Sequence, residues 1–367
     1  MSHRTLIATC DCRTTHFTLT LPTNTLPLTV HLCHCTVCRR THGAPCSFHA
    51  PVPLGNEPVF IAPSSLDTSL TGYVHGPSAK STRYFCTTCG CHIGDRDCKG
   101  QWYISVSIFQ EGDSAAWEIA SHAYTHSTGD GGISGLLNVI DGRKLEVWNP
   151  PQDTQGGQQE ATSNALLGQH VQRQEQADGE DEDKGEGEED QTLLAQCHCG
   201  GIAARISRPG SSKSDPTKKW RAFFGLSRDA RLVTGTHVTG WLSVGKERIS
   251  PPIPTGTLCI GTAKSYRSSK NVLRAFCGVC GATAFFVSHQ ASQAGIVNVA
   301  TGILRAEEGV MLGSWASWEW ISGITSLQDG LRYDEGFACA LSEGLRAWRI
   351  KHHGDTKGPA PDDELDT

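Results

Sequence analysis

Apolar and polar residues alternate over short stretches of this chain. "HFTLTL" at His16–Leu21 and "KLEVW" at Lys144–Trp148 place an apolar residue at every second position, and "WYISVSIF" at Trp102–Phe109 adds a short apolar run. A period of two sends successive side chains to opposite faces, which predicts strands with one buried face. Gly and Pro interrupt these runs, and no long 3.6-residue period is evident. The pattern predicts mainly β domains whose chemistry sits in the turns between short strands.

Between Pro150 and Leu193 the alternation gives way to Gln, Gly, Glu and Asp, ending in "DGEDEDKGEGEED" at Asp178–Asp190. Such a segment holds too little apolar surface to offset the entropy of ordering, so it reads as a disordered linker, 151–192. The end of the chain, 353–367, reads the same way. At 367 residues the chain suits two domains, placed at 1–150 and 193–352. No apolar run approaches the length that crosses a bilayer, and "MSHRTLIAT" at Met1–Thr9 lacks the apolar core of a signal peptide. The expectation is a soluble protein of the cytoplasm or nucleus, with no membrane partner.

The two flanking parts repeat each other. "CDC" at Cys10–Cys12 returns as "CHC" at Cys197–Cys199, and "FCTTCG" at Phe85–Gly90 as "FCGVCG" at Phe276–Gly281. "CRRTHG" at Cys38–Gly43 aligns with "ARLVTG" at Ala230–Gly235, and the order continues with Asp130-Gly131 and Trp148 against Asp329-Gly330 and Trp348. Matches in one order at similar spacing predict a duplicated domain.

The repeat sorts the cysteines. Sixteen cysteines in CxC and CxxC clusters point to zinc in a reducing compartment. The second copy keeps Cys197, Cys199, Cys277 and Cys280 but has Gly225, Ser227 and Ala230 where the first has Cys33, Cys35 and Cys38. A set of four that persists alone is self-sufficient. Cys10, Cys12, Cys86 and Cys89 therefore predict a closed four-thiolate zinc site, and the second set another. Cys33, Cys35 and Cys38 stand apart. Either Cys91, Cys46 or a histidine closes that site with a fourth ligand, or one coordination position stays open, as in catalytic zinc. Loss of all three ligands from one copy favours the open site.

The order CxC, CHCxxCR followed by Gly, then CxxCG resembles the glutathione-dependent formaldehyde-activating enzyme (GFA) family, which also includes centromere protein V. The resemblance covers most of 1–150 and, in degraded form, 193–352. It implies a β-rich, Mss4-like fold in both domains, with Cys10, Cys12, Cys86 and Cys89 structural and Cys33, Cys35 and Cys38 holding a catalytic zinc. It also implies a carbon–sulfur lyase that joins the glutathione thiol to formaldehyde, with about three zinc ions per chain and a catalytically silent second domain. A three-thiolate zinc suits the positioning of a substrate thiol. Arg39 and Arg40 are candidates for a substrate carboxylate, and His34 and His42 for acid–base groups.

Charge supports a rival reading. Net charge runs −1, −10, +9 and −4 over the four segments in order, so the second domain is basic and flanked by acid. A non-catalytic, zinc-stabilised scaffold that binds an anionic partner through that domain is the alternative. "KSDPTKKWR" at Lys213–Arg221 mixes cations with Trp as single-strand binders do, but the acidic flanks and the absence of a recognised motif count against nucleic acid. "WASWEW" at Trp315–Trp320 reads as core and interface.

Overall fold

A computed structural model describes residues 2–110, 112, 115–150, 192–209, 218–319, 321 and 324–354. The linker and tail readings lie outside these residues except at their edges, where Thr192 starts a strand and His353 ends a helix, and most of the Lys213–Arg221 stretch also lies outside. The described chain is mainly β, in several sheets. No described helix is long and apolar enough to cross a membrane.

The first half opens with β1 (His3–Thr9) and β2 (His16–Pro22), an antiparallel pair that the short β5 (Val59–Phe60) extends. Its main sheet contains β3 (Leu28–Cys33), β4 (Ser47–Pro51), β6 (Leu70–Tyr73), β7 (Ser81–Cys86), β8 (His92–Asp97), β9 (Trp102–Ser105), β10 (Trp117–Ala123) and β13 (Glu146–Trp148). The strand order is β13-β10-β3-β4-β9-β8-β7-β6. Helix α1 (Thr36–His42) joins β3 to β4, and α2 (Leu66–Ser69) precedes β6. A small ribbon, β11 (Val139–Ile140) with β12 (Arg143–Lys144), stands apart. The "HFTLTL" strand behaves as its alternation predicts, with Phe17, Leu19 and Leu21 fully buried. "WYISVSIF" does not run through as one strand. It leaves the sheet at Ser105, whose Oγ accepts from Ser107 N at 3.3 Å and caps a 3₁₀ turn.

The second half has β14 (Thr192–Gln196), β15 (Ala203–Ser207), β18 (Ile249–Ser250) and β23 (Leu304–Arg305) in one sheet. The other is built from β16 (Trp220–Gly225), β17 (Thr239–Gly245), β19 (Ala263–Ser269), β20 (Val272–Cys277), β21 (Thr283–Ser288), β22 (Ile296–Ala300) and β24 (Ala316–Trp318). Its order, β19-β20-β21-β22-β17-β16-β24, repeats β6-β7-β8-β9-β4-β3-β10 strand for strand. The final pair is parallel in both. Helix α3 (Arg228–Thr234) follows β16 as α1 follows β3, and α4 (His289–Gln293) follows β21.

The correspondence ends there, and the last sequence match fails. Asp329-Gly330 lies in helix α5 (Ile324–Tyr333) and Trp348 in helix α6 (Glu335–His353), whereas Trp148 sits on strand β13. Helix α6 spans 19 residues, contrary to the expectation of no long helical period. The period is present: Phe337, Ala338, Leu341 and Leu345 are buried along one stripe. Asp334 caps its start by accepting from Phe337 N at 3.0 Å, and Gly354 ends it in a left-handed conformation. The helix packs back on the first half, where Phe337 meets Phe48 edge-on with ring centroids 5.4 Å apart. Trp315 and Trp318 are core residues, as "WASWEW" predicts.

The halves meet through reciprocal contacts. Asp11 N donates to Leu232 O at 3.1 Å, and His198 N donates to Arg40 O at 3.2 Å. The Tyr266 hydroxyl donates to Asp11 at 2.6 Å, while the Tyr73 hydroxyl bonds His198 at 2.8 Å. Gly43 and Gly235 end the two equivalent helices with φ near +70°, and each leaves no room for a side chain. A Cβ on Gly43 would lie 1.9 Å from Thr283 O, and one on Gly235 2.1 Å from His92 O. Contacts that exchange partners in this way are the mark of a two-fold interface.

Two alanine substitutions separate conformation from contact. Gly55 has φ of +90° with nothing within 4 Å of a Cβ, so Gly55→Ala is expected to cost about 1 kcal/mol, the left-handed penalty alone. Gly43→Ala adds a collision with the facing backbone and is expected to cost at least about 3 kcal/mol. Denaturant unfolding of the two variants checks this; equal losses would mean that the close approach carries no weight.

Candidate metal centres

Three groups of cysteines converge, as expected from the sequence: Cys10, Cys12, Cys86 and Cys89; Cys197, Cys199, Cys277 and Cys280; and Cys33, Cys35 and Cys38. In each closed group the CxC turn follows the first strand of its half, and the CxxC turn follows β7 or β20. Gly90 and Gly281, with φ of +81° and +79°, let the CxxC turns fold back. The turns also aim backbone N–H groups at sulfur: Thr15 N donates to Cys10 Sγ and Ile202 N to Cys197 Sγ, both at 3.3 Å.

Sulfur–sulfur separations test whether a metal fits. Cys10–Cys12, Cys12–Cys86 and Cys10–Cys86 lie at 3.4, 3.5 and 3.7 Å. In the second group Cys197–Cys199 and Cys199–Cys277 lie at 3.6 and 3.4 Å. A disulfide needs about 2.05 Å, and zinc with sulfur at about 2.3 Å sets tetrahedral edges near 3.8 Å. The donor sets therefore fit a soft divalent cation. Hydrogen bonding inside each group divides its thiols, drawing Cys12 and Cys86 down while Cys10 and, after burial, Cys89 go up, and Cys199 and Cys277 down while Cys197 and Cys280 go up. Cys10 and Cys86 act in opposite directions on Cys12, and the net effect brings its thiol down to about 7. Cys277 is pushed far down, first by its bond from Cys197.

The trio is built differently. Cys33 ends β3, Cys35 caps α1 and Cys38 lies in its first turn. Cys35 Sγ accepts from Cys38 N at 3.3 Å, so one thiol both faces its two neighbours and starts the helix. Ser227 does the same capping for α3, accepting from Ala230 N at 3.4 Å. Among the described residues no fourth His, Cys, Asp or Glu joins the trio within the 4.8 Å that unites it. Cys46 and Cys91, the sequence candidates for closing it, are fully buried and join none of the three groups, although Cys46 is near enough to Cys38 to feel its charge. Burial holds both thiols well above their usual range. Within the trio, hydrogen bonds from Cys33 and then Cys38 pull Cys35 down.

Several residues around the trio are not signalled by the cysteine pattern. Burial first, and then the three sulfurs, raise the Tyr124 phenol. Burial opposes the charge on Arg83, but Asp95 and the sulfurs of Cys38, Cys35 and Cys33 outweigh it. Arg83 Nη1 bonds both Asp95 oxygens at 3.2 Å, and His49 Nδ1 lies 3.3 Å from the same carboxylate. His42 continues this chain, with Nε2 at 3.3 Å from His49 and Nδ1 at 2.9 Å from Cys38 O. One signal was available: Arg83 and Arg274 each precede the Phe-Cys of their CxxC by two residues.

Of the candidate polar residues from the sequence, His34, Arg39 and His42 are buried. His34 is buried and pairs with His122 at 2.9 Å, and burial brings its imidazole down to about 3. Burial also holds His42 well below the usual histidine range. Both are therefore neutral near pH 7. Arg39 is 4% exposed and donates to His34 O at 3.0 Å and Ser127 O at 2.9 Å. Its aligned partner Arg231 likewise donates to the backbone carbonyl of Ser107. The matching use of the two arginines fixes backbone around the helices. Arg40 offers its own carbonyl to His198 N.

With this geometry in hand, the comparison with known families is specific. Residues 5–127 match the model of the family described as glutathione-dependent formaldehyde-activating enzyme. The likeness is confined to this segment. The matched GFA segment contains the trio and one complete four-cysteine group. No curated protein and no solved structure matches the chain.

Cys35→Ser and Cys12→Ser are expected to separate the two kinds of site. A serine at 35 keeps the cap, as Ser227 does, so Cys35→Ser should lose one metal equivalent with a stability change within about 1 kcal/mol. Cys12→Ser breaks a closed cluster that ties β1 to β7, and should cost on the order of 3 kcal/mol or more. Metal analysis with thermal unfolding reads both, and equal destabilisation would assign the trio a structural part.

Proposed function

We propose that the first half is a zinc-dependent carbon–sulfur lyase of the GFA type, acting on a glutathione-like thiol and an aldehyde or their adduct. The observation that carries this reading is the trio: three convergent thiols, with no fourth ligand among the described residues. The family match over residues 5–127 supports it. We take Cys33, Cys35 and Cys38 as ligands of an open zinc, with the two four-cysteine groups closed, giving about three zinc ions per chain. Zinc held by the trio would offer a position for a substrate sulfur as thiolate and could polarise a carbonyl.

The chain's own residues supply the rest. Helix α1 fixes two of the three ligands relative to each other through the Cys35 cap. The Arg83 guanidinium lowers the cost of gathering several thiolates in a half-buried place. Asp95 holds that guanidinium, and His49 backs the carboxylate. Tyr124 is near enough for the trio's sulfurs to raise its phenol, and that protonated phenol is suited to donate to an aldehyde or hydroxyl oxygen. Arg39 belongs to the frame rather than to substrate recognition, because its donors are committed to backbone carbonyls. The second half, with Gly225, Ser227 and Ala230 in place of the trio, is silent in this chemistry.

Exchange NMR tests the reading by comparing the interconversion of glutathione, formaldehyde and S-hydroxymethylglutathione with and without the protein. The holoprotein is expected to accelerate exchange, and Cys35→Ser to lose roughly 100-fold of it, the equivalent of about 3 kcal/mol of barrier. In a cobalt-substituted protein, glutathione should shift the absorption of the trio site and leave the Cys35→Ser spectrum unchanged. An unaccelerated exchange together with a thiol-insensitive spectrum would favour the scaffold alternative.

A further inference from the structure

The second half has a cavity of about 470 Å³ at the place where the first half has its trio. Gly225, Ser227 and Ala230, the residues aligned with the three cysteines, all line it. Its size is that of a small-molecule site. We propose that it binds an uncharged, planar aromatic compound carrying a carbonyl oxygen.

The walls select the aromatic body. Phe223, Trp241 and Phe286 line the cavity. Trp241 meets Phe286 edge-on with ring centroids 4.5 Å apart, and Phe223 meets the same ring at 87°. A flat ring entering among perpendicular faces finds stacked and edge contacts together.

The polar end selects the acceptor. Arg274 is 5% exposed and lines the cavity. Its Nη2 donates to Asp229 at 2.8 Å and its Nε to Ser268 at 3.0 Å, while Nη1 is buried without a partner. A buried donor left unpaired is costly, so an acceptor brought by a ligand restores a full bond. Asn298 lines the same space with its Oδ1 already accepting from Ser243 at 2.7 Å, which leaves its NH₂ group to a ligand. Asp229 has no acceptor to spare. Its Oδ1 accepts from Ser227 at 2.6 Å and Ala230 N at 2.7 Å, and its Oδ2 accepts from Ser268 and Arg274. At this end of the cavity the uncommitted groups are therefore donors, and Glu247, which also lines the cavity, adds a carboxylate that disfavours an anionic ligand.

Charge selects neutrality. Burial opposes ionisation of Asp229, but Arg274 and the hydroxyls of Ser227 and Ser268 outweigh it and keep the carboxyl far below its usual range. The Asp229–Arg274 pair is thus balanced, and a ligand carboxylate at Nη1 would meet the Asp229 charge close by. At the mouth Arg221 is already paired with Glu319 at 2.5 Å. A carbonyl oxygen takes the free donor without that repulsion. The first half cannot offer the same chamber, because Asp95 occupies the position that aligns with Phe286 and pairs with Arg83.

Fluorine NMR and calorimetry on the full-length, zinc-loaded chain test this with 4-fluorobenzamide, 4-fluorobenzoate and 4-fluorotoluene. The amide is expected to bind saturably, and the acid and the hydrocarbon each at least about tenfold more weakly, a difference of 1.4 kcal/mol. Ala291→Trp, at the half-exposed rim, should fill the cavity and abolish amide binding while thermal unfolding stays unchanged. Arg274→Lys keeps a cation beside Asp229 but removes the Nη1 donor, and should cost the amide its advantage over 4-fluorotoluene. The proposal is overturned by the absence of saturable amide binding, by benzoate binding as tightly as the amide, or by full amide affinity in folded Ala291→Trp.

Discussion

Helix α1 is held at both ends, and the geometry of the trio depends on that. At its start a thiol does the work usually given to a serine, so the cap and one of the three convergent sulfurs are one atom. At its end Gly43 turns left-handed and presses its backbone against Thr283 of the other half. Neither end can move alone. A shift of the helix would spoil the cap or drive the glycine into a carbonyl, so the separation of Cys35 and Cys38 is set by contacts on both sides of the molecule. Arg39 adds a third restraint by tying the helix to the Cys33–Cys35 turn and to the loop at Ser127.

The closed cysteine groups serve the same end from further away. Each CxC turn places one residue against the opposite half, Asp11 at Leu232 and His198 at Arg40. Tyr266 and Tyr73 secure those two residues from the side. Metal in a four-cysteine group would therefore stiffen the turn that braces the other half's helix, as well as the strands it joins. Local chemistry and assembly of the halves are coupled through two residues that are not ligands.

Much of this was legible in the sequence because cysteine spacing and strand alternation are local signals. The three cysteine groups, the buried face of "HFTLTL" and the paired order of motifs up to the second CxxC follow directly from the residues. Helix α6 was obscured because its buried stripe of Phe337, Ala338, Leu341 and Leu345 is interrupted by Gly344 and polar residues. The Trp148 and Trp348 match then suggested strand where the chain is helical. The Arg83–Asp95–His49 chain was invisible for another reason: its members come from three strands and meet only once the sheet has formed. The roles of Arg39 and His42 could not be read either, since an arginine beside a metal loop looks the same in sequence whether it faces solvent or backbone.

The reciprocal interface has a further consequence. In a symmetric dimer of identical subunits, every substitution appears twice, so a change that alters one site alters both and must leave the shared surface intact from both directions. A single polypeptide carrying both partners is released from that condition. One member can keep its sulfur ligands while the other gives them up, provided that the helix cap survives the exchange. Serine in place of cysteine at position 227 meets that requirement, and so asymmetry of purpose can coexist with near-symmetry of form.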